Sequence, residues 1–281
     1  MSGYTEAMLA LLAINFVVAL AGYLPLAAGQ LNLGVAGFMA IGGYVSAYLT
    51  NTYDAPIYLG VITGGLVASV IATLLAVPLL RVSGIYLALA TFALGQVIQG
   101  VLLNLEVVGA AAGYAVNKHA SFGFIVTSAA IVLGLVFFLT KTRFALYLTA
   151  VKNDPVVSDL FGLNVKITKI QAFSLGALIA GIGGALYGHH FSYLEPQNFN
   201  ILLSIYIALY VLLGGTQTIF GPLAGALIFT LLPEVLRGSD QWRYVVFALA
   251  VILIMAVRPQ GLITAQLLRN WSGRTKPAEA K

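Results

Sequence analysis

The sequence predicts an all-α, polytopic transmembrane helix bundle of about nine spans, with the N-terminus outside and the C-terminus cytoplasmic. Three observations predict it. Hydrophobic residues make up 60% of the 281 residues and charged residues 8%, where a soluble domain carries roughly 25% charged residues. Apolar runs recur at about the 20 residues that a helix needs to cross a ~30 Å hydrocarbon core. The loops between those runs sort by charge onto two sides.

The expected spans are 7–24, 30–50, 56–80, 84–105, 121–140, 169–189, 200–215, 219–236 and 242–257. Helix is the expected state because hydrocarbon offers no water to satisfy an open backbone. The runs are too long for barrel strands. Residues 1–270 read as one transmembrane domain and 271–281 as a short basic tail. The first run carries Glu6 where a signal peptide has a basic region, so it reads as a retained span.

Span two, GQLNLGVAGFMAIGGYVSAYLT, is rich in glycine and opens on Gln30 and Asn32. Polar groups at depth must be paired or face water. The pair therefore either caps the helix or lines a solute path. In span four, Gln96 and Gln99 share a helix face, and Thr91 and Asn104 are further polar residues of that span. Such a stripe suits either a wet cavity for an uncharged or zwitterionic solute or hydrogen bonds between helices. Residues 106–119, EVVGAAAGYAVNKH, are too short and glycine-broken for a span, and read as an external loop or a re-entrant element.

Span six repeats small residues at Gly176, Ala180 and Gly184, with Gly181 and Gly188 beside them, which makes a close-packing face. His189 and His190 end it, and Glu195 follows in an external turn. The two histidines do not share a face and lack a third ligand, so they are expected at an external interface rather than at a metal. Spans seven and eight flank the polar break GGTQT. Short spans interrupted by Gly or Pro often mark discontinuous helices near a transport path. Tyr206 and Tyr210 share a face there, suited to lining that path or to packing.

The longest polar break is 141–169, with Lys141, Arg143, Lys152, Lys166 and Lys169. It contains one short capped helix. Asp154 suits the N-cap and Pro155 the first helical position. Val156, Val157, Leu160 and Phe161 form an apolar stripe, and Gly162 suits a left-handed stop. A helix this short needs a partner. Arg81, the 141–169 loop, Arg258, Arg269, Arg274, Lys276 and Lys281 fall on one side of the membrane. Lys118, Arg237 and Arg243 fall on the other, with Glu6, Asp54, Glu106, Glu195, Glu234 and Asp240. The excess of positive charge puts the loop and the C-terminus in the cytoplasm. It also explains the basic pI by topology, with no nucleic-acid partner required.

No expected span carries a central Asp, Glu, Lys or Arg, so ion-coupled transport is not indicated. The chain has no cysteine, no nucleotide-binding loop and no nucleophile–His–acid constellation. It is expected not to be an enzyme, and the energy for uphill transport must come from another subunit.

Several stretches resemble one family: GQLNLGVAGFMAIGGY, GIYLALATFALGQ, NDPVVSDLFGLNVKITKIQAFSLGALIAGIGGALYGHH and LLGGTQTIFGPLAGALIFTLLPEVLR. They are similar to permease subunits of ABC importers for branched-chain amino acids, of the M type, from about residue 22 to residue 263. The resemblance implies a bacterial cytoplasmic (inner) membrane protein. It implies a second, different permease subunit, two ATPase subunits that hold ATP and Mg, and a periplasmic binding protein. No cofactor is implied in this chain. The coupling helix would fall on Asp154–Gly162, and His189, His190 and Glu195 would face the binding protein. The run EVVGAAAGYAVNK departs from the family's pattern, which keeps urea, short amides and aromatic or dicarboxylic acids beside branched-chain amino acids as expected solutes. A passive small-solute channel is the alternative from another class.

Overall fold

The computed structural model describes residues 3–235, 248, 249, 251, 252, 256 and 261–263. Ten α-helices appear among them, besides three short 3₁₀ turns: α1 (Gly3–Ala27), α2 (Val35–Thr52), α3 (Ile57–Leu79), α4 (Ile85–Asn104), α5 (Phe122–Lys141), α6 (Arg143–Asn153), α7 (Pro155–Leu160), α8 (Val165–Phe191), α9 (Ile201–Gly214) and α10 (Phe220–Val235). Two short strands, β1 (Tyr114–Ala115) and β2 (Tyr193–Leu194), pair antiparallel. Most of the expected ninth span and the 271–281 tail lie outside the described residues.

Five of these helices, α1, α3, α4, α5 and α8, are long and apolar enough to cross a membrane. Helix α2 is less apolar and largely buried inside the bundle, with Phe38, Ala40 and Ser46 fully enclosed. Helices α9 and α10 are shorter and form a hairpin. The fold is an all-α membrane bundle.

Helix α8 is its axis, packed against α1, α2 and α3. Glycine permits this approach. A Cβ on Gly181 would lie 2.8 Å from the Ala68 side chain and 2.9 Å from Gly65 Cα. Gly184 lies directly on the backbone of Met39, and Gly42 on that of Gly181. The repeat at 176, 180 and 184 is thus the seam where three backbones meet. Phe38 and Phe173 close it edge to face, 5.5 Å between centroids. The α9–α10 hairpin packs on α1, where Asn15 Nδ2 donates to Thr230 Oγ1 at 2.9 Å. Helix α5 buries only Ile125, Val132 and Val136, and leaves Ile131 and Phe138 largely exposed. An apolar face this bare suits contact with lipid or with a partner helix.

Two expected boundaries are corrected. Span two does not start at residue 30: α1 stops at Ala27, and the chain is irregular from 28 to 34. The Pro25 carbonyl accepts from both Ala28 N and Gln30 N, and Gly29 turns with φ +76. That reversal consumes the residues that composition assigned to the helix. Helix α8 starts at Val165 rather than at 169, because the Asn164 side chain accepts from Ile167 N at 2.9 Å and caps it. The 141–169 stretch is mostly helical, as α6, α7 and the first turns of α8.

The polar segments gather at two ends. One end joins Asn51–Ala55, 105–120 and 192–200 through β1–β2 and the Lys118–Asp54 ion pair of 2.6 Å. The 106–119 segment forms part of the cap at this end. The other end joins α6, the 28–34 break and the 215–219 turn.

Candidate coupling surface and solute path

Helix α7 is built around Asp154. Its Oδ1 accepts from Val156 N at 2.9 Å and from Val157 N at 3.0 Å, which satisfies two of the helix's open donors. Pro155 holds the first position, and Gly162 follows the helix with φ +82. The same Asp154 closes α6, its own N–H bonding the Ala150 carbonyl at 3.0 Å. One residue thus ends one helix and begins the next. The stripe on α7 faces outward: Val156 is 69% exposed, Leu160 81% and Phe161 84%, with Val157 exposed beside them. An apolar face this bare, on a helix this short, has no partner within the chain's described residues.

Residues 143–153, expected within a polar loop, form α6. Phe144, Leu148 and Val151 stand at i, i+4 and i+7, the spacing that would have revealed it. Leu148 and Val151 are buried. Lys152, at the end of α6, meets both breaks in the bundle. Its Cα lies 3.4 Å from where a Cβ would stand on Gly29, and its Nζ donates to Thr216 Oγ1 at 2.9 Å.

The polar residues expected to line a path have separate fates. Asn32 Oδ1 accepts from Gly34 N at 2.8 Å, so Asn32 steadies the start of α2. Thr91 is fully buried, and its hydroxyl accepts from Leu33 N at 3.0 Å. It straps α4 to the 28–34 break. Gln99 Nε2 donates to the Pro196 carbonyl at 3.1 Å and ties α4 to the capped end. Tyr210 is buried, with its ring 5.1 Å from that of Phe229. These four have structural partners. Gln96 is half-buried, and Tyr206 is exposed beside Phe229. Gln30 is buried, and neither its Oε1 nor its Nε2 has a hydrogen-bond partner. A cavity of about 240 Å³ lies between α1 and α9, bounded by Asn15, Met39, Ile207 and Tyr210.

At the capped end, His189 is not an interface residue. It is buried, its Nδ1 bonded to the Lys118 carbonyl at 2.7 Å and its Nε2 to Ser46 Oγ at 2.9 Å. The carbonyl can only accept, so Nδ1 carries the proton and Nε2 accepts from the serine hydroxyl. His189 pins the 105–120 segment to α2 and α8. His190 is half-buried beside His119, 6.0 Å between ring centroids, and Glu195 is exposed. No group of three metal-ligating side chains occurs among the described residues. Lys118 Nζ also donates to the Asp54 and Ala55 carbonyls, and it holds the Asp54 carboxyl below the usual carboxylate range. These bonds lace the capped end into a platform.

A family model described as "Branched-chain amino acid transport system / permease component" matches residues 4–257. The high-affinity branched-chain amino acid transport system permease protein LivM of Salmonella typhimurium is 27% identical over 307 residues, covering 96% of this chain and 71% of its own. The nucleoside ABC transporter permease protein NupB of Lactococcus lactis subsp. cremoris is 26% identical, over 81% of this chain and 69% of its own. The fructose import permease protein FrcC of Rhizobium meliloti is 34% identical over 42% of this chain and 35% of its own. No solved structure matches. The family match runs through the helix seam, α7 and both breaks, and the bundle is that of a multi-pass membrane protein. The chain therefore belongs to the family of branched-chain amino acid transport system permease components of ABC transporters.

Proposed function

We propose that this chain is one of two different permease subunits of an ATP-driven importer in a bacterial cytoplasmic membrane. A periplasmic binding protein delivers the solute at the platform that bears His190 and Glu195. The solute crosses between the two permeases and leaves at the end that bears α7. Two ATPase subunits, which hold ATP and Mg, dock on Val156, Val157, Leu160 and Phe161. Asp154, Pro155 and Gly162 shape that helix and take no part in chemistry. Branched-chain amino acids are the leading solute class, supported by the family description and by the LivM relative. Relatives named for nucleosides and fructose show how wide the family's range is.

The observation that carries this reading is the bare apolar face of α7 on the more basic end of the chain. Helix α6 supports it, since its Lys152 meets both breaks next to α7. The test is Leu160→Asp with Phe161→Asp in the assembled transporter. Fold and membrane insertion should be retained, while solute-stimulated ATP hydrolysis and uptake into proteoliposomes fall to background. Unchanged stimulation would sink the docking role. Uptake of leucine by wild type, set against a nucleoside and fructose, decides the solute class.

A further inference from the structure

A cavity of about 750 Å³ opens at the α7 end of the bundle, among α1, α5, α6 and the 215–219 turn. Its lining is of two kinds. Leu24, Phe137, Phe144 and Phe220 supply hydrocarbon and aromatic surface. Lys141 and Lys152 line it together with the neutral polar groups of Thr149, Asn153 and Thr216. No carboxylate lines it. Among the described residues neither ammonium has a carboxylate partner. Lys152 Nζ donates to the Thr216 hydroxyl, and Lys141 Nζ stands 5.2 Å above the Phe137 ring.

Both lysines are exposed and hold no carboxylate, so each is open to an anion, and partial burial lowers the basicity of Lys152. Two lysines with hydroxyl and amide donors suit a phosphate group, by charge-assisted hydrogen bonds. The aromatic wall beside them suits an acyl chain. Helix α5, which supplies Phe137 and Lys141, is also the helix whose bare face suits contact with lipid.

We propose that this cavity binds an anionic phospholipid, its phosphate between Lys141 and Lys152 and an acyl chain along Phe137, Phe144 and Phe220. The assignment depends on the placement of these side chains and not on which solute the transporter carries.

The test uses the purified transporter complex in detergent. Phosphatidylglycerol, phosphatidylcholine and inorganic phosphate are titrated separately, with binding read by native mass spectrometry and thermal unfolding. Phosphatidylglycerol should bind and raise the melting temperature, phosphatidylcholine much less, and inorganic phosphate should not reproduce the effect. Lys141→Gln with Lys152→Gln should weaken phosphatidylglycerol binding by about thirtyfold, the combined effect of two surface lysines. Phosphatidylglycerol carrying a photoreactive acyl chain should label peptides containing Phe137, Phe144 or Phe220 in wild type, a readout that needs no variant. Equal binding of both lipids, undiminished binding by the double variant, or label absent from those peptides would overturn the proposal. Full stabilisation by inorganic phosphate would overturn the lipid assignment in favour of a soluble anion.

Discussion

Gln30 occupies a costly position. Its side chain is enclosed, and both of its polar atoms lack partners. An unsatisfied buried polar group costs about 1–3 kcal/mol, and a methionine of similar shape would carry no such penalty. Gln30→Met should therefore stabilise the chain by about 1–3 kcal/mol, read as a raised melting temperature of the purified complex. It should also slow solute uptake if the amide serves a transport step made in another conformation. A lowered melting temperature would show that the amide is satisfied in the native complex. The sequence exposed Gln30, Asn32, Thr91 and Gln99 alike as polar residues in apolar surroundings. It had no means to tell the three that are bonded from the one that is not. Their partners are Gly34 N, Leu33 N and the Pro196 carbonyl, and two of those come from distant parts of the chain.

Among the elements, α8 shows what sequence reveals best and α6 what it hides. The small-residue repeat on α8 announces close packing because only glycine admits a neighbouring backbone. What the repeat cannot announce is which helices arrive, and the answer is α1, α2 and α3 together. Gly42→Leu should block the α2–α8 seam, where the backbone of Gly181 occupies the space, at a cost above the usual ~1–3 kcal/mol of overpacking. The measurement is the yield of folded, membrane-inserted protein, and that yield should collapse. Gly100→Ala is the control, since a Cβ there meets nothing within 4 Å, and it should leave the yield unchanged. Helix α6 escaped because its arginine, threonine, lysine and asparagine read as a solvated loop. Its apolar face covers only Leu148 and Val151.

For the whole molecule, the two collections of loops make orientation testable. The natural chain has no cysteine, so single cysteines report cleanly. Glu195→Cys should react with a membrane-impermeant maleimide in cells whose outer barrier is opened. Phe161→Cys should react only after the cytoplasmic membrane is breached. The reverse pattern would invert the assigned sides. Charge placed the loops in two groups because lysine and arginine excess is a property of composition. The depth of the 28–34 break was not legible, because it depends on how Pro25, Gly29 and the Thr91 hydroxyl hold an irregular backbone inside the bundle. Asp154 has a last implication at this scale. Because it finishes α6 and starts α7, no flexible linker separates the outward apolar face from Lys152. On the docking role proposed for α7, a push there would pass through Asp154 to Lys152 and its contacts at Gly29 and Thr216. Inserting two glycines after Asn153 should separate the two helices and lower solute-stimulated ATP hydrolysis, with Asp154 still capping α7.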